Sequence, residues 1–162
     1  MVVQSSGVIP RQLDLGYLAL FLGLHVNELV LERLAEAGMK GVRESHGYLI
    51  QHLIETERSI TELAGRMGVT QQASSKMVAE LVDLGVLEFT TGEDRRAKQV
   101  RLSTYGWSIV QVNRRARKQV HGRLVRGLGE SKYEAARALV LECLDKLGGI
   151  DAVKQRKIRT PR

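Results

Sequence analysis

The sequence predicts a mainly α fold: a winged helix-turn-helix with long N- and C-terminal dimerisation helices and a two-stranded wing. Three observations predict it. Apolar residues recur every three or four positions from Ile60 to Leu84, with a break at Gly68. The period then shortens to two on either side of a charged turn over 91–97. More apolar helical surface precedes and follows this segment than a small domain needs to close its core.

The first element is a helix over about 14–37, apolar on more than one face: Leu15, Leu18, Phe21, Leu22 and Val26 are joined by Leu20 and Leu24. Its longest apolar stretch, 15–27, lies between Asp14 and Glu28 and contains His25 and Asn27, short of the roughly 18 apolar residues of a membrane span. It therefore reads as a buried helix, and no membrane partner is expected.

The helix-turn-helix begins at Ser59, whose hydroxyl can cap the next helix while Glu62 reaches back in a capping box. Ile60, Leu63, Ala64 and Met67 give that helix its apolar stripe, Gly68 suits the left-handed exit, and Val69 can plug the turn. Thr70 starts the second helix, over 71–84. There Ala73, Met77, Val78, Leu81 and Leu84 face inward, leaving Gln71, Gln72, Ser74, Ser75 and Lys76 outward. These side chains can read duplex DNA: Gln pairs two-pronged with an adenine edge, Ser and Thr bond bases or phosphates, and Lys neutralises phosphate or contacts guanine. Thr70, Gln71, Gln72, Ser74, Ser75 and Lys76 are thus the expected DNA contacts of this helix.

Gly85 stops the helix, and strands over 86–90 and 98–102 flank the turn. Arg95 and Arg96 at the turn suit the negative potential of a minor groove, and Asp94 can hold one of them in place by a charge-assisted pair. Ser103 can cap the helix that follows. That helix, to about 128, carries Tyr105, Ile109, Val112, Ala116, Val120 and Leu124 on one face; a turn over 127–131 leads into another helix over 130–147, with Leu139, Val140, Cys143 and Leu144. So much apolar helix around a small winged domain predicts a two-fold homodimer of interlocked terminal helices.

Charge distribution agrees with a DNA partner. The net charge of the 162 residues is +7, and it is concentrated: 92–126 holds ten Lys or Arg against Glu93 and Asp94, and 154–162 holds five with no acid, so the rest of the chain is acidic. Aromatic residues make up only 4%, too few for the stacking platforms of single-strand binding, which favours double-stranded DNA. With 43% apolar and 27% charged residues the chain is globular, of a length for one folding unit.

Other chemistries find few parts. No Gly-rich phosphate loop, nucleophile elbow or spaced carboxylate pair is present, so neither an enzyme nor a cofactor is expected. His46 and His52 are six apart and His121 and Cys143 fall in different helices, so no metal site is expected. His25, His46 and His52 read as packed core groups, and Cys143 as a small buried side chain. The lone cysteine and the lack of a signal peptide point to the cytoplasm.

The sequence resembles MarR-type bacterial transcriptional regulators. The resemblance rests on Leu63-Ala64 followed by Gly68 and Thr70, on the LVDLGVL run over 81–87, on Asp94-Arg95-Arg96-Ala97 and on Leu102-Ser103-Thr104-Tyr105-Gly106. It implies a single unit over 1–162, with helical dimerisation segments 12–38 and 104–148, a winged DNA-binding lobe 42–103 and a basic tail 149–162. It also implies a homodimeric repressor that reads a short inverted repeat and is relieved by a small aromatic or phenolic ligand between the helical and winged parts. Two other readings stay open: a general nucleoid-type DNA binder, which the basic tail favours, and a winged-helix protein-interaction module.

Overall fold

The computed structural model describes residues 9–91 and 98–156. A short 3-10 turn, Pro10–Gln12, leads into α1, Leu15–Glu36, whose N-cap Asp14 accepts from the Tyr17 amide at 3.0 Å. Then follow α2 Glu44–Ile50, β1 Arg58–Ser59, α3 Ile60–Met67, α4 Gln71–Asp83, β2 Leu87–Thr91, β3 Lys98–Leu102, α5 Thr104–Leu128, α6 Glu130–Lys146 and α7 Ile150–Gln155. The architecture is the winged helix-turn-helix that the spacing predicts, and most helix ends fall within a residue or two of the expected ones.

The helix-turn-helix is built by the local chemistry of its sequence. The capping box is complete: Ser59 Oγ accepts from the Glu62 amide at 3.2 Å, and Glu62 Oε2 accepts from the Ser59 amide at 2.8 Å. Gly68 ends α3 at φ +71°, a left-handed conformation that favours glycine. Thr70 Oγ1 accepts from the Ala73 amide at 3.2 Å and starts α4. Leu49, Leu63, Met67, Val78, Leu81 and Val86 form the fully enclosed centre, which joins α2, α3 and α4 to the sheet.

The sheet has three strands, in the order β1-β3-β2, one more than the two-stranded wing expected. β2 and β3 pair antiparallel from Leu87 opposite Leu102 to Thr91 opposite Lys98, and Arg58 and Ser59 pair with Val100 and Gln99. Two residues are too few to show a period of two, and Ser59 serves both as strand end and helix cap, which hides the strand behind its capping signature.

The LSxxG run has a structural explanation. Leu102 is buried; Ser103 Oγ accepts from the Gly106 amide at 2.9 Å and donates to the Gly85 carbonyl at 2.6 Å; and Gly106 lies so close to the Val86 carbonyl that a Cβ there would sit 2.1 Å from its oxygen. Helix α5 is thereby locked to the end of α4 and the start of the wing. Its far end turns directly into α6 through Gly129 at φ +81°, a one-residue joint where a longer turn was expected.

Two expectations need correction. α1 is not a buried helix within one chain: only Val30 and Leu34 are buried, where α1 lies along α5, while Leu18, Phe21 and Leu22 are exposed. By length and hydropathy α1 also qualifies as a membrane-crossing helix, although its last turns belong to the protein core. α6 has no buried residue at all, and Leu139, Val140 and Leu141 stand in the open. Residues 150–155 of the expected basic tail form α7, and Arg156 brings the chain back to α2: its Nη1 donates to the Gln51 carbonyl at 3.3 Å, and Gln51 Nε2 donates to the Arg156 carbonyl at 3.4 Å.

Candidate nucleic-acid interface

Helix α4 presents its first two turns to solvent. Thr70, Gln71, Gln72, Ser75 and Lys76 are exposed, as expected. Ser74 is not: it is fully buried, and its Oγ donates to the Ile60 carbonyl at 3.2 Å, tying α4 to the start of α3. Ser74 is thus removed from the set of DNA contacts, and Ala73, expected inside, is exposed. The inward line runs Ser74, Val78 and Leu81, at spacings of four and three, so the small hydroxyl residue takes the core position nearest the helix start. Hydrophobicity alone picks Ala73, because it cannot anticipate a serine satisfied by a backbone carbonyl.

The wing carries its own ordered polar contacts. Arg101 Nε donates to Glu88 Oε1 at 2.7 Å across the hairpin, Thr90 Oγ1 donates to Glu57 Oε2 at 2.9 Å, and Lys98 Nζ lies 5.7 Å from the centre of the Phe89 ring. The strands end at the paired residues Thr91 and Lys98. Asp94, Arg95 and Arg96 lie outside the described residues.

Behind α4 sits a polar network that the sequence did not reveal. Arg43, the N-cap of α2, donates its backbone amide to His46 Nδ1 at 3.2 Å, and His46 Nε2 lies 3.2 Å from Arg43 Nη2 and 3.4 Å from Glu80 Oε2 of α4. The Arg43 guanidinium pairs with the same carboxylate oxygen. His46 is 1% exposed and His52 is buried as well, so both are packed core groups as expected, whereas His25 is exposed with Nδ1 3.1 Å from Glu28 Oε2. Among the described residues no group of three or more His, Cys, Asp or Glu could hold a metal ion, and Cys143 is half-buried.

Burial lowers the pKa of His46 below 6.5, against a partial counterweight from Glu80, and lowers that of His52, reinforced by the charges of Arg66, Arg58 and Arg156. The unfolded chain therefore binds protons that the folded chain excludes. Folding stability should be full above pH 6.5 and fall as the pH drops from 6.5 toward the folded-state values, by up to about 1.4 kcal/mol per pH unit for each histidine. Urea denaturation at several pH values between 5 and 8 checks this; constant stability below pH 6.5 would contradict it.

A cavity of about 220 Å³ opens where α1, α2 and α5 meet. Val30, Leu34, Ile50, Ile109 and Val110 form its apolar wall, and Arg43, Arg114 and Arg117 stand at its edge with a single carboxylate, Glu44. Glu44 is already committed, accepting from Asn27 Nδ2 at 2.6 Å and from the Tyr48 hydroxyl at 3.0 Å, and Arg117 donates to Asn27 Oδ1 at 2.9 Å. Burial, followed by the bond to Glu44, raises the Tyr48 pKa above 10.0, so the phenol stays a donor.

The model of the MarR family matches residues 37–97, from the end of α1 to the wing turn. Among solved structures the chain is similar to the reduced form of MarR from E. coli, with 21% identity, a TM-score of 0.65 and coverage of 85% of this chain and 98% of that one. It is similar also to a mutant of S. aureus MepR bound to oligodeoxyribonucleotide, at 17% identity and TM-score 0.59 over 84% of this chain and 99% of that one. A third likeness is to S. aureus MepR bound to ethidium bromide, at 17% identity and TM-score 0.60 over 85% and 99% of the two chains. No curated protein sequence matches.

Proposed function

We propose that this chain, whose residues 37–97 match the MarR family model, is a DNA-binding transcription regulator rather than an enzyme, and more specifically a cytoplasmic homodimeric repressor of a short inverted repeat. The outward first turns of α4 carry this reading. Gln71, Gln72, Ser75 and Lys76 stand exposed at the start of a helix whose other face is locked into the core by Ser74, Val78 and Leu81. A helix held so rigidly by one face presents its polar face in a fixed pose, as base reading requires. In this reading residues 42–103 bind DNA, and segments 12–38 and 104–148 assemble the dimer through the apolar surfaces that α1 and α6 leave open.

Two recognition helices related by a two-fold axis read half-sites about 10 base pairs apart on one face of the duplex. Selection of duplexes from a randomised pool by the full-length protein should therefore enrich a palindrome with that spacing; enrichment of no common sequence would refute the specific regulator and favour a general DNA binder. Arg95 and Arg96 complete the interface in the minor groove, with Asp94 orienting them. Arg96→Ala should weaken binding to the enriched duplex by about 1–3 kcal/mol while leaving the dimer intact, as measured by anisotropy and light scattering. Unchanged affinity would remove the wing from the interface.

The cavity between α1, α2 and α5 supports the small aromatic or phenolic ligand that relieves repression. Its apolar wall suits a ring, and three arginines against one committed glutamate suit an anion. That charge balance differs from what a cation would need, and ethidium, carried by the MepR structure, is a cation.

A further inference from the structure

The last helix of the described chain returns to the winged lobe. Arg156, the C-cap of α7, donates its Nη1 to the Gln51 carbonyl at 3.3 Å, and Gln51 Nε2 donates back to the Arg156 carbonyl at 3.4 Å, a reciprocal pair across 105 residues. Gln51 is the C-cap of α2, where unsatisfied carbonyls carry partial negative charge. The next carbonyl, that of His52, accepts from Arg58 Nε at 2.8 Å, so guanidinium groups from two separate elements hold this end of α2. Arg156 stands at φ +52°, the only non-glycine in the left-handed region among the described residues, a conformation that an arginine keeps where its surroundings fix it.

We propose that the Arg156–Gln51 pair is a clasp that sets the angle between the winged and helical lobes, and with it the half-site spacing that the dimer accepts. This rests on the palindrome-reading homodimer proposed above. The chain joins the two lobes covalently twice, from α1 into α2 and from β3 into α5, and both joints meet at the end of α4. A Cβ at Gly41 in the first would lie 2.8 Å from a Leu84 methyl, and Ser103 Oγ in the second donates to the Gly85 carbonyl at 2.6 Å. Two joints on consecutive residues act as one pivot. Gln51 lies eight residues beyond Arg43, about 12 Å along α2 from that pivot, and α2 faces a cavity of about 220 Å³ there, so packing alone holds it loosely. The clasp supplies the second fixed point. It comes from α7, which packs on α6 of the helical lobe. Leu49, Leu63, Val78 and Leu81 make α2, α3 and α4 one packed body, so a rotation of α2 about the pivot carries the exposed face of α4 with it.

Gln51 and Arg156 are therefore positioning residues, and loosening the clasp should widen the tolerance for spacing rather than abolish binding. The test is anisotropy titration of the full-length protein with the palindrome enriched by selection, and with versions carrying one base pair more or fewer at the centre. Wild type should prefer the enriched spacing. Arg156→Gly suits the left-handed backbone and removes only the guanidinium, while Gln51→Leu removes the returning bond. In each variant the preference for the enriched spacing should shrink about two- to tenfold, the weight of one or two hydrogen bonds, and Arg156→Lys, which keeps a donor, should retain it. A smaller folded fraction would lower affinity for every duplex alike, so the ratio between spacings reads the clasp alone. An unchanged ratio in both variants would overturn the clasp and leave the palindrome reading standing. No preference of wild type for any palindrome would overturn that reading and the clasp with it.

Discussion

Leu18→Asp should convert the proposed dimer into a folded monomer, with a light-scattering mass half that of wild type. Leu18 is 42% exposed on the single chain, on the part of α1 that touches least of the protomer's own core, so its replacement leaves Val30, Leu34 and the winged centre intact. In an interlocked dimer it would bring an unpaired carboxylate into an apolar interface, and the two-fold axis would bring two. A buried unpaired charge costs about 3–5 kcal/mol, which weakens association by roughly two to three orders of magnitude or more. Val140→Asp, on α6 and also 42% exposed, should do the same from the other end of the interface. Operator affinity should collapse with assembly, since a monomer reads one half-site. A variant that remains dimeric with wild-type affinity would show that these faces lie outside the interface.

Gly106→Ala should destabilise the fold by about 3 kcal/mol, at the upper end of the cost of forcing an extra group into a packed site. The added Cβ would lie 2.1 Å from the Val86 carbonyl oxygen and 3.1 Å from a Leu102 methyl. That carbonyl cannot withdraw without cost, because it accepts from the Ser103 amide at 3.0 Å. Alanine's advantage over glycine in a helix, about 1 kcal/mol, is too small to compensate. Gly65→Ala in α3 supplies the contrast: nothing lies within 4 Å of its Cβ position, and the same change there should be neutral or stabilising. Urea denaturation of the two variants separates steric cost from propensity, and equal stability of both would contradict the close approach of α5 to the wing.

Much of this architecture is legible in the sequence because its signals are local. Ser59 with Glu62, Gly68, Thr70, and Ser103 with Gly106 each state a helix end within four residues, and the structure uses every one as a cap, a left-handed exit or a close approach. What the sequence hides depends on partners distant along the chain. Ser74 looks like an outward hydroxyl until the Ile60 carbonyl, fourteen residues away, is known to accept from it. β1 is defined only by its pairing with β3, and the Arg43–His46–Glu80 network joins α2 to a residue 37 positions beyond Arg43. α1 reads as buried from composition, yet on the single chain its apolar face is open; an apolar pattern states that a surface wants cover, not which chain supplies it.

The most direct test of the central claim is an anisotropy titration of the full-length protein with the selected palindrome and with a scrambled duplex of the same composition, at two salt concentrations. Specific regulation predicts a preference of at least about a hundredfold for the palindrome, with affinity for both duplexes falling as salt rises. Equal affinity for the two duplexes would contradict the assignment of α4 as a sequence-reading helix.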